Sequence, residues 1–271
     1  MSKLIFFDID GTLVNFDDVI PESAKKGLAL AHDAGHKLFL CTGRGGSQVD
    51  KRLLKLPFDG MISSTGADVV AGERVIFRKE VPDEMLYRLV DVMEETKAYY
   101  ALQGYESIIM NERSLNHMKA RFREIGADDD RIETLFYGVA VLEDLKKAKA
   151  VEKAIYYDAE YTVPEVQKLL AHGFDVEPVS FDSPSDLSGE VTQSGINKAF
   201  GIKKLMEYYG IPAEDTVAFG DGPNDLDMLR FAGTGVAMGN AWDIVKETAD
   251  LVTSAIMEDG IYNGLKELEL I

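Results

Sequence analysis

Asp8 and Asp10 stand two residues apart, directly after the apolar run Leu4-Ile5-Phe6-Phe7, and Gly11-Thr12 follow them. Residues two apart in an extended strand lean to one face, so both carboxylates address the same space. Gly11 lets the chain turn sharply there, and Thr12 can hydrogen-bond locally. Two carboxylates this close repel unless a cation sits between them or one takes a proton. Alone, Asp-x-Asp reads equally well as an acidic surface turn. A second acidic loop tips the balance. Gly220-Asp221-Gly222-Pro223-Asn224-Asp225 follows another apolar run, Thr216-Val217-Ala218-Phe219. Asp8, Asp10, Asp221 and Asp225 can gather into an all-oxygen site, which suits a small hard cation, Mg²⁺ above all. The second loop also reads as the capped start of a helix, and the two readings are compatible.

Two further elements carry what a phosphate requires. Thr42-Gly43-Arg44 ends the run Lys37-Leu38-Phe39-Leu40-Cys41 and offers a hydroxyl, backbone N–H groups and a guanidinium. Lys198 opens a helical pattern after Ser194-Gly195-Ile196-Asn197. A cation at a helix start faces the wrong end of the helix dipole, so a nearby anion would rationalise it.

The elements that must position these groups are legible. Each of the three apolar runs ends in a polar or glycine-bearing turn, and helical patterns precede the second and third, at 22–34 and Lys198–Tyr209. Pro21 opens the first of these helices, and Gly35 and Gly210 lie just past the two ends. Continuous apolar strands alternating with amphipathic helices predict a parallel sheet covered on both faces, with the polar residues at the carboxyl ends of its strands. The fold class expected is α/β, a Rossmann-like core interrupted by an inserted α/β segment. That segment is read as 82–190, between core segments 1–81 and 191–271. Helices are predicted at 83–96, 115–125 and 163–171, strands at 135–141 and Lys153–Tyr157, with an irregular stretch between the first two helices. Pro82 and the run 183–189 read as hinges.

Composition bounds the partners. The 271 residues carry a net charge of −18, and the 82–190 segment holds 12 Lys and Arg against 23 Asp and Glu. Such acidity argues against sequence-independent nucleic-acid binding and against docking on anionic lipid. Cys41 is the single cysteine, so no internal disulfide forms. The run Leu4–Phe7 is too short for a secretory signal core, and no run approaches the ~18 apolar residues of a membrane span. A cytoplasmic chain is expected, a monomer or weak homodimer acting on a small phosphorylated metabolite.

Phe7-Asp8-Ile9-Asp10-Gly11-Thr12-Leu13, Thr42-Gly43-Arg44, Lys198 and Gly220-Asp221-Gly222-x-Asn224-Asp225 resemble, in order, the four motifs of the haloacid dehalogenase superfamily. The insertion between the second and third motifs resembles the cap of the Cof-like sugar-phosphatase branch. Gly66-Ala67, Gly235-Val236-Ala237-Met238-Gly239-Asn240-Ala241 and Glu258-Asp259-Gly260 agree with it. The resemblance implies a Mg²⁺-dependent phosphatase in which Asp8 attacks phosphorus and becomes a phosphoaspartyl intermediate. It implies Asp10 as general acid and base, with Thr42, Gly43, Lys198 and Asn224 on the phosphate. It implies Mg²⁺ on Asp8, on the Asp10 carbonyl and on Asp221, with Asp225 a ligand directly or through water. Sugar phosphates are the substrate class implied, with pyridoxal phosphate or flavin mononucleotide as competitors. A phosphomutase and a slowly hydrolysing phosphoaspartate regulator are the other readings. Gly45-Gly46 and Thr65 depart from residues frequent in the branch, which leaves the role of Arg44 open.

Other prominent residues read as structure. Cys41 and Trp242 are expected to pack, as are the pairs Tyr99-Tyr100 and Tyr156-Tyr157, with the lining of a sugar pocket as the other reading of the tyrosines. His32, His36, His117 and His172 have no metal-ligand spacing. Asp128-Asp129-Asp130 reads as a solvated loop. Arg113, Lys119, Arg121 and Arg123 read as a solvated helix face, with contact to an anionic substrate as the other possibility.

Overall fold

The computed structural model describes residues 2–124, 126–179 and 186–271. The chain divides into two compact units, one of Met1–Arg44, Val49–Arg78 and Ile196–Ile271, the other of Gly45–Gln48 and Lys79–Gly195. The bulk of the second is thus inserted, in sequence, into the first.

The first unit is built on an eight-stranded sheet. Its spatial order is Leu251–Val252, Thr234–Ala237, Thr216–Gly220, Leu4–Phe7, Lys37–Cys41, Gly60–Ser63, Asp68–Ala71 and Arg74–Arg78. The first six run parallel; Asp68–Ala71 folds back antiparallel to them, and Arg74–Arg78 pairs antiparallel with it at the edge. Leu4, Ile5, Phe6 and Phe7 are all fully buried because the strand is covered on both faces. Ile5 and Phe7 join Leu28 and Leu265 in one apolar layer, while Leu4 and Phe6 join Ile202, Leu205 and Met228 in the other. Each such side chain contributes about 1.5–3 kcal/mol when fully buried. Burial therefore fixes where the strand stops and the polar turn begins. The chain runs outward from Leu4–Phe7 in one direction and from Thr216–Gly220 in the other. Asp8 and Asp221 thus emerge side by side where the strand order reverses, the usual site position in an open parallel sheet.

The second unit holds a six-stranded sheet in the order Phe174–Pro178, Gly189–Gln193, Lys153–Tyr157, Tyr99–Gln103, Ile108–Met110 and Ala140–Val141. It is antiparallel except for the last pair. Helices Asp83–Glu95 and Val163–Leu170 pack with Leu102 and Tyr156 on one face. Helix Glu112–Glu124 meets Ala101, Ile155 and Tyr157 on the other through Met118.

Several local expectations need correction. The stretch taken as irregular carries the strands Tyr99–Gln103 and Ile108–Met110, and Tyr99–Gln103 is an interior strand paired on both sides. Most of the strand expected at 135–141 is absent. Asp128 instead caps a helix, Asp129–Leu135, by accepting the Arg131 N–H at 2.8 Å, and Asp129 and Asp130 fill its first turn, where acids favour the dipole. The acidic run is therefore a helix start rather than a loop. Trp242 is 51% exposed: its backbone N–H is the used group, bonded to the Asp221 carbonyl at 3.1 Å. Cys41, Tyr100, Tyr156 and Tyr157 are buried as expected. Arg121 pairs with Asp158 at 3.0 Å and Arg113 stacks over Tyr99, so part of the basic face is bound within its own unit. Of the hinge at 183–189, residues 183–185 lie outside the described residues, as does residue 125 of the helix expected at 115–125.

Candidate active site

Four side chains converge where the strand order reverses. The Asp8 N–H donates to the Phe219 carbonyl at 3.0 Å, which continues the sheet pairing one step and aims the carboxylate beyond the strand end. Asp225 is completely buried. Its Oδ2 accepts the N–H groups of Asp221 at 2.9 Å and of Gly222 at 3.0 Å, so it folds the loop over itself. Its Oδ1 accepts from Lys198 Nζ at 2.5 Å, and the same ammonium donates to Asp8 Oδ1 at 2.6 Å. Lys198 opens its helix because Asn197 caps it, accepting the Phe200 N–H at 2.8 Å.

Asp221 is held from the first loop. Thr12 Oγ1 donates to its Oδ1 at 2.9 Å, a bond across 209 residues. Gly11 has φ +86°, and a Cβ there would lie 2.1 Å from Asp221 Oδ2. Only glycine permits both that backbone and that approach.

One oxygen from each of Asp8, Asp221 and Asp225 lies within 4.8 Å of the others, and all three residues are buried. Against three carboxylates the cluster holds one ammonium, Lys198. Burial, and then repulsion from Asp225, Asp221 and Asp10, raise the Asp8 carboxyl well above the usual range in spite of Lys198. Burial and Asp225 push Asp221 up to about 7 against the opposing pull of the Thr12 hydroxyl and Lys198. For Lys198, burial works to lower the value, but Asp225 and Asp8 overcome it and hold the ammonium charged. A surplus of two buried negative charges in an oxygen-only cluster is the environment that a divalent hard cation neutralises, so the residues present fit Mg²⁺.

The other expected residues surround this cluster. The Asp10 carboxylate stands apart from it, half-exposed and paired with Arg44, whose Nε reaches Oδ2 at 2.9 Å and Nη2 reaches Oδ1 at 2.5 Å. Thr42 is buried at the end of Lys37–Cys41, with Gly43 next to it, and its Oγ1 accepts the Arg44 N–H at 3.1 Å. Asn224 lies partly buried in the loop between Asp221 and Asp225.

Sequence reasoning missed the supporting residues. Ser64 and Thr65, at φ +49° and +58°, donate backbone N–H groups to the carbonyls of Arg44 at 2.7 Å and Thr42 at 3.1 Å. Gly66 next to them lies so close to Asn197 that a Cβ would sit 2.2 Å from its carbonyl oxygen. One turn thus braces both the Thr42 loop and the helix start that carries Lys198. Asn240 ties the Gly11 carbonyl to the Ile256 N–H, each at 2.8 Å. The sequence signals for these were Gly66 and Asn240 among the accessory motifs and Thr65 as a departure from the branch.

Comparison with known proteins identifies relatives along the whole chain. The model of the family described as haloacid dehalogenase-like hydrolase matches residues 5–265. The chain is 35% identical over 271 residues to YkrA of Bacillus subtilis (strain 168), covering 100% of this chain and 99% of that one. It is 30% identical over 273 residues to YitU of the same organism, a 5-amino-6-(5-phospho-D-ribitylamino)uracil phosphatase, covering 97% and 96%. Among solved structures, the HAD subclass IIB sugar phosphatase BT4131 superposes with a TM-score of 0.79 at 30% identity, covering all of both chains.

Proposed function

Because the chain belongs to the haloacid dehalogenase-like hydrolase family and is a phosphatase, we propose that it is Mg²⁺-dependent and hydrolyses a phosphate monoester on a polyhydroxylated carbon chain, most simply a sugar phosphate, through a phosphoaspartyl intermediate on Asp8. The observation that carries this reading is the buried cluster of Asp8, Asp221, Asp225 and Lys198 with its two surplus negative charges. The substrate class is supported by two similar proteins, one named a sugar phosphatase and one a phosphatase of a phosphoribityl compound. Both names describe a phosphate on a polyol.

Mg²⁺ would be held by Asp8, Asp221 and the Asp10 carbonyl. Asp225 would hold it directly or through water: its Oδ2 already accepts two backbone N–H groups, while its Oδ1 accepts from Lys198 alone. When bound, the cation neutralises the cluster and offsets charge on the phosphoryl oxygens.

Asp8 is the nucleophile in this account. Lys198 holds its Oδ1, and a carboxylate oxygen attacks phosphorus, forming the acyl phosphate as the ester oxygen departs. Asp10, as the acid, gives that oxygen a proton. As the base it then takes one from the water whose oxygen attacks the same phosphorus, which releases phosphate and restores Asp8. The Thr42 hydroxyl, the Gly43 N–H and Asn224 hold phosphoryl oxygens, while Lys198 keeps nucleophile and phosphate in charge balance. The inserted segment 82–190 is assigned the choice of substrate.

No helix among the described residues is long and apolar enough to cross a membrane. We assign the chain to the cytoplasm as a monomer or weak homodimer. Phosphate release over a panel of sugar, polyol and cofactor phosphates, with and without a chelator, tests the proposal. It expects metal-dependent release that is fastest on polyol esters. Turnover indifferent to the chelator would refute the metal assignment, and an isomeric sugar phosphate as product would convert the reading to a phosphomutase.

A further inference from the structure

We propose that Arg44 is the positioning residue for Asp10, its guanidinium fork fixing the carboxylate in the orientation from which it exchanges protons with the leaving oxygen and then with water. The inference rests on the phosphatase reading above. Asp10 differs from the other acids of the site in that its side chain is 48% exposed and lies outside the buried cluster. Burial does not orient it. An aspartate on such a turn is otherwise free to rotate about two torsions. Arg44 removes that freedom with two parallel contacts, Nε to Oδ2 at 2.9 Å and Nη2 to Oδ1 at 2.5 Å.

The backbone that carries the fork is anchored. The Arg44 N–H donates to Thr42 Oγ1, and its carbonyl accepts from Ser64, which stands in the strained turn at 64–66. The Arg44 backbone is therefore tied to the Thr42 loop, and its guanidinium to Asp10. Ion pairs at this exposure add little stability, so the pair's worth lies in geometry. A carboxylate offers about four lone-pair positions, so each Asp10 oxygen engaged by the fork retains one for a proton in flight. A lysine is a point charge and cannot hold both oxygens in a plane.

The test compares Arg44→Ala and Arg44→Lys with the unaltered chain on two esters. One is p-nitrophenyl phosphate, whose leaving group departs without a proton; the other is glycerol phosphate, whose leaving group needs one. Displacing a proton-transfer group by about 1 Å costs about 10²-fold. We therefore expect kcat on glycerol phosphate to fall by that factor while KM stays within about threefold. On the aryl ester the first turnover should persist as a burst of nitrophenolate, followed by slow hydrolysis of the intermediate, which still needs Asp10 as base. Arg44→Lys should not restore either. A raised KM with equal loss of first-turnover rate on both esters would overturn the inference and assign Arg44 to the phosphate itself. Unchanged kinetics, or full rescue by lysine, would also overturn it. Asp8→Asn in the same assays separates the two proposals: if it keeps turnover, the phosphoaspartyl reading fails whatever the Arg44 variants do.

Discussion

Lys198 in the first unit and Lys153 in the second are both withdrawn from water, and each ends in an ion pair of 2.5 Å. Around Lys198, a second carboxylate lies at 2.6 Å and a third acid completes a grouping able to grip a cation. Around Lys153 a carboxylate, Glu190, also lies within ion-pair distance, but no three-acid grouping occurs in that unit among the described residues. The comparison separates two uses of buried charge. A lysine matched to a carboxylate is a structural device, and replacing both by apolar residues of similar volume is often neutral. A lysine outnumbered by carboxylates leaves a deficit that only something from outside the chain can fill. The surplus, rather than the burial, marks the site.

The sharpest way to break this contrast is to remove the proposed nucleophile. Asp8→Asn should lower phosphate release by about 10³-fold or more, the scale seen when a covalent nucleophile is lost. Lys153→Met should leave turnover of an aryl phosphate per folded molecule within about threefold, consistent with a purely structural pair. Comparable losses in both variants would erase the distinction between the units.

Next come the lysines as stability elements. Lys198→Met leaves buried carboxylates unmatched and should cost about 3–5 kcal/mol in chelator, read from urea unfolding. Lys153→Met should cost a similar amount, but adding Glu190→Leu should recover most of it. No single second substitution should do so for Lys198, because two of its three acids would remain.

Gly11→Ala forces a side chain against Asp221 at a left-handed backbone position. It should weaken Mg²⁺ binding by about 10–100-fold, as disturbed metal-ligand support does, measured by titration calorimetry.

A further effect concerns pH. An acid whose folded value is raised stabilises the fold at low pH, because the folded state holds its proton more tightly. For Asp221 that contribution is complete below its ordinary value of 3.8 and is lost as pH rises to about 7. In chelator, the stability of the unaltered chain relative to Asp221→Asn should therefore decline from pH 4 to pH 7. Added Mg²⁺ should raise the melting temperature more at neutral pH than at pH 5. A relative stability that climbs over the same interval would contradict the raised value.

The parts of this site that sit at strand ends were legible because they are local. An apolar run such as Leu4–Phe7 announces a buried strand, and the acids directly after it must face the same edge. The fold class followed from that rule; of the expected gathering of Asp8, Asp10, Asp221 and Asp225, the Asp10 carboxylate stands outside, and Lys198, read from the motifs as a phosphate element, joins the other three. The pairings that tune the site were not legible. Thr12 was read as a local hydrogen-bonder, yet its partner Asp221 lies 209 residues away. Arg44 was read among the groups a phosphate requires, with its role left open, and its guanidinium pairs with Asp10, 34 residues back. Composition gives no hint of which loop tips meet; sheet order decides it. In the second unit the reverse error occurred. Asp128-Asp129-Asp130 looked like a loop by charge alone, while one backbone N–H accepted by Asp128 starts a helix there. Tyr99–Gln103 is too short for its period to declare a strand, and only pairing on both sides makes it one.

The central claim is that the surplus of buried negative charge surrounds a carboxylate that becomes phosphorylated. Acid-quenching the chain during turnover of an alkyl phosphate with Mg²⁺, followed by mass spectrometry of its peptides, addresses it directly. The account predicts one phosphoryl group on the peptide containing Asp8, lost when hydrolysis is allowed to finish and absent from Asp8→Asn. A phosphoryl group on another residue, or undiminished turnover by Asp8→Asn, would contradict it.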